Sequence, residues 1–156
     1  MAEHCLHCYA LLEDITQWRA NPFVEKIVSQ YGPERIALLL LLHDAHEAYT
    51  KDFPTGLKPV VPGLVELQGR ADAAIFKSFG VDSPSDKERE LITVIDRSAL
   101  IAEARLLMPT ELYHWIVRRI QDEGPAEVDT RALAPKVWRN APDVEATYKD
   151  EILSLL

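Results

Sequence analysis

The stretch that decides the fold is Pro33 to Tyr49, which reads P-E-R-I-A-L-L-L-L-L-H-D-A-H-E-A-Y. Gly32 precedes it, and Pro33 stands at the first helical position, where a missing backbone N–H costs nothing. Leu38 to Leu42 would be apolar on every side of a helix, a pattern typical of a helix that is buried all round. We therefore predict a helix from Glu34 to about Tyr49 at the centre of the domain.

The segments on either side follow helical periodicity, and no run alternates convincingly with the period of two that marks a strand. We predict an all-α protein, one domain over residues 1–156, built as a bundle of about six helices. The expected helical segments are 2–18, 23–31, 34–49, 64–79, 85–107, 110–122 and a tail over 131–156 that Pro135 and Pro142 interrupt.

Local signals fix some of these boundaries. Gly80 is a suitable C-cap for the helix that ends near Phe79. Ser85 followed by Glu88 three residues later has the pattern of a capping box at the start of the next helix. Residues 52–62 contain three prolines and a glycine and read as an ordered loop.

The composition, 47% hydrophobic and 27% charged, is that of a globular protein. A net charge of -8 argues against a nucleic-acid duplex or an anionic membrane as the main partner, although a local metal ion can outweigh that field. The longest apolar run, Ile36 to Leu42, is far short of the ~20 residues of a membrane helix. With no secretion signal at the N-terminus, we expect a cytoplasmic protein.

His43, Asp44 and Glu47 follow the leucine run and share neighbouring faces of one helix. A carboxylate on a mostly buried helix is costly unless it is paired or binds a metal. Two plainer interpretations stay open: the helix has simply reached solvent by residue 43, and Glu47 is a surface acid.

Asp96 is a second acid in an apolar setting. It lies in the apolar stretch of 91–101, where Ile92 and Ala99 share its helical face. An acid in such a stripe needs a cation. That cation is either a metal ion or a nearby arginine, such as Arg97 or Arg105.

The N-terminal H-C-L-H-C, residues 4–8, places two histidines and two cysteines within about one turn. A structural zinc site usually draws ligands from two separated segments, and no second such pair follows. We therefore predict free thiols, with Cys5 and Cys8 as core residues rather than zinc ligands or a disulfide.

In order, His4, His43-Asp44 and Asp96 match the H…HD…D pattern of the HD-domain phosphohydrolases, and the surrounding residues resemble the small 5'-deoxynucleotidase-like branch. Residues 2–6 resemble its A-E-H-S-L, and residues 43–49 its H-D-A-x-E-A-Y. Residues 50–58 resemble its G-D-I/L-P-x-P-L/V-K loop, and residues 95–100 its A-D-x-A-L. The resemblance covers roughly residues 2–108; the H-D dipeptide alone is weak, but the extended block around it is specific.

The resemblance implies a role for each matching residue. His4, His43, Asp44 and Asp96 would coordinate one divalent cation; such mixed ligands suit Mn, Co, Fe, Ni or Zn. Glu47 would orient the attacking water or exchange its proton. Asp52 would lie near the substrate sugar or leaving group, and Lys58 would meet a phosphate.

The sequence departs from the family pattern at three places. His46 stands where a small residue is usual, and we predict a helix-surface histidine there. Lys51 replaces the usual glycine, so a different loop backbone is expected. Family members carry an upstream segment that helps form the substrate pocket, and it is either absent here or precedes Met1.

The function implied is hydrolysis of a nucleotide, with a deoxynucleoside 5'-monophosphate as the first substrate class. A triphosphate pocket needs more cationic side chains than Lys51, Lys58 and Arg97 offer. Hydrolysis of dNTPs to tripolyphosphate is therefore the second candidate reaction. A non-catalytic module that binds metal and nucleotide is the alternative outside enzymes, and a purely structural or interaction role is a third possibility.

The C-terminal third carries many apolar residues for a chain end. We predict a homo-oligomer, at least a dimer, built partly from the helices after Pro109. The competing prediction is that the tail folds back over the first helix. The residues concerned are Leu112, Trp115, Ile116, Ile120, Val137, Trp138, Ile152, Leu153, Leu155 and Leu156.

Overall fold

The computed structural model describes residues 2–18, 22–53, 58–122 and 141–156, and within them the fold is all-α, as predicted. These ranges contain seven helices of ten or more residues, one short helix and one 3-10 turn. The helices are α1 (Ala2–Trp18), α2 (Pro22–Tyr31), α3 (Pro33–Leu42), α4 (Glu47–Thr50), α5 (Leu64–Ser78), α6 (Asp86–Leu107), α7 (Thr110–Asp122) and α8 (Ala141–Ser154), with the 3-10 turn at Lys58–Val60.

Helix α3 is the central helix, as the leucine run indicated. Every residue from Ile36 to Leu42 is buried. Helices α1, α2, α6 and α8 all pack against it. No helix in the described part of the chain is long and apolar enough to cross a membrane.

The predicted extension of this helix to Tyr49 is wrong. Helix α3 ends at Leu42, residues 43–46 form a turn, and α4 begins at Glu47. Backbone hydrogen bonds through the turn run from residue i to i−3: the Ala45 N–H donates to Leu42 O at 3.0 Å, and the Glu47 N–H donates to Asp44 O at 2.9 Å. This tighter winding interrupts the α-helix at the H-D dipeptide.

The capping box predicted at Ser85 is present at the start of α6. The Glu88 carboxylate accepts hydrogen bonds from the Ser85 backbone N–H and hydroxyl, both at 2.7 Å. It also accepts a hydrogen bond from Arg35 Nε at 2.5 Å, and since the Glu88 side chain is buried, this ion pair fixes α6 against α3.

The predicted cap at Gly80 is also present. Gly80 has φ +69°, a left-handed conformation that favours glycine, and its N–H donates to Lys77 O after the end of α5.

Helix α8 folds back on α1 and α3, in agreement with the fold-back alternative for this part of the tail. The Tyr148 hydroxyl donates to Leu41 O at 2.5 Å, and Ile152 is buried in the core. Leu153 and Leu156 remain exposed. Val137, Trp138, Pro135 and the rest of 123–140 lie outside the described residues.

Candidate metal centre

Helices α1 and α6 bring His4 and Asp96 together across 92 positions of the chain. His4 Nε2 lies 2.8 Å from Asp96 Oδ1. In the described part of the chain Asp96 thus pairs with histidine, and the arginine partner considered from the sequence is not found there.

His43 reaches the same place from the end of α3. Its Nε2 lies 3.9 Å from Asp96 Oδ1 and 3.3 Å from Asp44 Oδ2, and its ring centroid is 5.6 Å from that of His4. Of the four ligands that the resemblance implies, His4, His43 and Asp96 therefore converge directly. Asp44 joins them through His43.

Two overlapping groups of side chains could hold a metal ion. One ligand atom from each of His4, Cys8, His43 and Asp96 lies within 4.8 Å of the others, and Cys5, His43 and Asp44 form a second group by the same measure.

The hydrogen bonds of the two histidines fit a bound cation. His43 Nδ1 donates to Leu40 O at 2.6 Å, so in the neutral ring Nε2 would carry the lone pair; this buried atom makes no hydrogen bond, although Asp44 Oδ2 lies 3.3 Å away. His4 Nδ1 is paired with Glu103 Oε1 at 2.9 Å, which leaves Nε2 facing Asp96. A metal-ligating histidine typically gives its other N–H to a carboxylate or a carbonyl in this way.

The carboxylates beside His4 and His43 favour a positive charge within the cluster. Burial lowers the pKa of His4, but hydrogen bonds to Asp96, Cys8 and Glu103 outweigh it, so the net pKa is raised. The pKa of His43 is raised to about 12, against the effect of burial, chiefly by Asp96. Burial raises the pKa of Asp96, yet the two histidines bring it well below its usual range. A divalent ion bound by neutral imidazoles would supply this positive charge in place of the protonated histidines.

The cluster opens to solvent on its carboxylate side. The Asp96 and Asp44 side chains are 40% and 29% exposed, whereas the His43 side chain is 9% exposed. An ion held here would have protein ligands on one side and solvent on the other.

Glu47, Asp52 and Lys58 form one electrostatic neighbourhood beside this cluster. Burial raises the pKa of Glu47, the charges of Asp44 and Asp52 raise it further, and His46 and Lys58 oppose them. The Glu47 side chain is partly buried rather than fully solvated. Asp52 is exposed and Lys58 is partly buried at the start of the 3-10 turn.

The backbone at Lys51 keeps a conformation that favours glycine. Its φ is 68° and its ψ is 161°, a region that residues with a side chain rarely adopt. Lys51 therefore has a backbone conformation that glycine would adopt more readily, and the residue that follows it is Asp52.

The prediction that His46 is a surface histidine is wrong. His46 is 7% exposed, and its Nδ1 is paired with Asp72 Oδ1 on α5 at 2.9 Å. The tight turn over 43–46 directs this side chain inward between α4 and α5, where the Asp72 carboxylate pairs with Nδ1 while the buried Nε2 has no hydrogen-bond partner.

Glu103 was missed as a functional candidate in the sequence, and His7 was considered there only within a zinc cluster that was rejected. Glu103 Oε1 accepts hydrogen bonds from both His4 Nδ1 and His7 Nδ1, each at 2.9 Å. Glu103 follows Asp96 by two helical turns and His7 follows His4 by one, and this matched spacing was the available signal. The burial predicted for Cys5 and Cys8 is confirmed, but Cys8 also borders His4.

Glu103 is therefore expected to act as a positioning residue for His4. We predict that Glu103→Gln weakens divalent-ion affinity about tenfold to a hundredfold, the usual cost of losing a ligand's outer hydrogen-bond partner. Equilibrium dialysis against Co²⁺ measures this, with Glu90→Gln, an exposed acid on the same helix, as the control. Equal affinities of the two variants would contradict the role.

Comparison with known proteins finds a partial similarity to the uncharacterized protein YfdR of Escherichia coli (strain K12), 36% identical over 55 residues. The match covers 35% of this chain and 31% of that protein, so the chain spans less than a third of the relative's length. No family model and no solved structure matches the chain. Function must therefore be argued from the cluster itself.

Proposed function

We propose that this protein is a metal-dependent phosphohydrolase of the HD-domain type that acts on nucleotides, a deoxynucleoside 5'-monophosphate first among them. The observation that carries the proposal is the His43 side chain: its Nδ1 is held by Leu40 O, and its buried, unpartnered Nε2 lies between Asp44 and Asp96. A buried nitrogen without a hydrogen-bond partner is costly, and a cation at this point would satisfy it.

The ion would be held by His4, His43, Asp44 and Asp96. Imidazole with carboxylate suits Mn, Co, Fe, Ni or Zn better than Ca. Such an ion supplies Lewis acidity and makes a water molecule a better nucleophile at neutral pH. His4 and His43 orient their Nε2 atoms through Glu103 and Leu40.

Glu47 is suited to proton exchange. Its raised pKa brings the carboxyl nearer to neutral pH than an ordinary glutamate, which favours both accepting a proton from water and returning it to the leaving group. Asp52 is proposed to contact the sugar or the leaving oxygen, and Lys58 a phosphate oxygen. The effect of their charges on Glu47 supports placing both in this site.

The electrostatics around Glu47 favour a short phosphate chain. Asp44 and Asp52 both raise the pKa of Glu47, whereas His46 and, to a smaller extent, Lys58 oppose them. A triphosphate would need more positive charge, so dNTP triphosphohydrolysis stays the second candidate.

A substrate screen tests the proposal. The full chain, loaded in turn with Mn²⁺, Co²⁺, Ni²⁺ or Zn²⁺, is incubated with ribo- and deoxynucleoside mono-, di- and triphosphates. Release of orthophosphate from a monophosphate is the expected result, and tripolyphosphate from a dNTP would support the second candidate. Nucleotide binding without turnover under every condition would indicate the non-catalytic module and overturn the proposed hydrolysis.

We also propose that the protein is cytoplasmic and forms a homo-oligomer, at least a dimer, through the helices after Pro109. Exposed apolar residues surround the α6–α7 junction: Leu106, Leu107, Met108, Leu112 and Trp115. A contiguous exposed apolar surface usually marks an interface. Light scattering at micromolar concentration should give at least twice the 17.6 kDa chain mass, and a monomer mass would rule out the oligomer.

A further inference from the structure

Cys8 lies where a ligand of the candidate ion would lie, although neither the motif nor its spacing assigns it a role. It follows His4 by one turn of α1 and is 0% exposed. Its Sγ is 3.6 Å from His4 Nε2, the nitrogen that faces Asp96. Together with His43 and Asp96, these atoms lie within 4.8 Å of one another.

The separation between Cys8 and His4 matches two ligands of one ion. Sulfur and nitrogen ligands bond zinc at about 2.3 Å and about 2.0 Å, so at a tetrahedral angle they lie roughly 3.5 Å apart. His43, whose buried Nε2 makes no hydrogen bond, belongs to the same group of potential ligands, whereas the other buried ring nitrogens without a partner in the described part of the chain, in His7 and His46, belong to no such group.

Cys5 provides an internal comparison, because it is equally buried and also borders a histidine. Its Sγ lies 3.8 Å from Nδ1 of His43. That Nδ1 donates its hydrogen to Leu40 O and has no lone pair for an ion. Cys5 also belongs to the second group, with His43 and Asp44, but the nitrogen that it borders is already engaged, whereas Cys8 borders the nitrogen of His4 that faces Asp96.

We propose that Cys8 supplies a thiolate ligand to the ion held by His4, His43 and Asp96, an inference that rests on the proposed metal centre. On binding, the thiol proton passes to solvent and a sulfur–metal bond forms. A thiolate in the ligand set favours Zn²⁺, Co²⁺ or Fe²⁺ over Mn²⁺ and Mg²⁺, which prefer oxygen ligands. The site would therefore select its ion through a residue outside the H…HD…D pattern.

Absorption spectroscopy of the full chain loaded with Co²⁺ alone tests this. We expect the intense near-ultraviolet band of sulfur-to-cobalt charge transfer together with visible cobalt bands. Cys8→Ser should lose the near-ultraviolet band and keep the visible ones. Cys5→Ser, the matched control, should keep both, and because the chain has two cysteines, a band in this variant assigns the sulfur to Cys8 even if Cys8→Ser does not fold.

The failures of the two proposals are distinguishable. Co²⁺ bound with visible bands but without charge transfer would overturn the Cys8 ligand and leave the metal centre standing. A charge-transfer band that disappears in Cys5→Ser would also overturn the Cys8 ligand, because it would assign the bound sulfur to Cys5. No Co²⁺ retained by the unmodified chain in equilibrium dialysis would overturn the metal centre, and the Cys8 ligand with it.

Discussion

Replacing Glu47 with glutamine is expected to lower the rate of nucleotide hydrolysis by about a hundredfold or more while the ion stays bound. Glutamine keeps the size of the side chain and its ability to accept a hydrogen bond, but it cannot exchange a proton. Glu47 is not among the groups that could hold the ion, so its neutralisation should spare metal affinity. Phosphate release and equilibrium dialysis on the same preparation measure both quantities.

A matched control for this substitution is Glu66→Gln, which neutralises an exposed acid in the first turn of α5. It should hydrolyse substrate at the rate of the unmodified protein. Equal rates for Glu47→Gln and Glu66→Gln would remove Glu47 from the mechanism. Loss of the ion from Glu47→Gln would instead make it a ligand rather than an acid–base group.

Replacing Asp96 with asparagine is expected to abolish ion binding, and hydrolysis with it. Asp96 Oδ1 is the atom that both His4 and His43 approach, at 2.8 and 3.9 Å between the oxygen and each Nε2. Asparagine preserves the shape but removes the charge that neutralises a divalent cation. Since loss of an outer hydrogen-bond partner already costs about tenfold to a hundredfold in affinity, loss of this ligand should exceed a hundredfold.

Equilibrium dialysis against Co²⁺ measures the effect of Asp96→Asn directly. Glu90→Gln, on an exposed turn of the same helix, controls for the loss of one negative charge. Circular dichroism of both variants checks that the overall helix content is unchanged. Undiminished Co²⁺ affinity in a folded Asp96→Asn protein would place the ion elsewhere.

Much of the fold was predictable because short-range sequence patterns determine it. The leucines of α3 are apolar on every face, and a helix of that kind must lie at the centre. Ser85 and Glu88 stand at the spacing of a capping box, which needs no tertiary information. The end of α3 at Leu42 was not predictable in this way, because the helical periodicity continues through His43 and Glu47 while the hydrogen bonds change.

The candidate site was predictable to the extent that the order of His4, His43-Asp44 and Asp96 is a motif. The contacts that orient it were not, since Glu103 lies 99 positions from His4 and Asp72 lies 26 from His46. Likewise, sequence can predict that Cys5 and Cys8 are buried, but not which sulfur faces His4 Nε2. That distinction depends on the rotation of α1 against α3 and α6.

The most direct test of the central claim is phosphate release from a deoxynucleoside 5'-monophosphate in three states. They are the protein stripped of metal by a chelator, the same protein reloaded with Co²⁺ or Mn²⁺, and the Asp96→Asn variant stripped and reloaded in the same way. We predict no release from the stripped protein, restored release after reloading, and none from the reloaded variant. Release that persists equally in all three states, or that no ion elicits from any nucleotide, would contradict the assignment of this protein as a metal-dependent nucleotide phosphohydrolase.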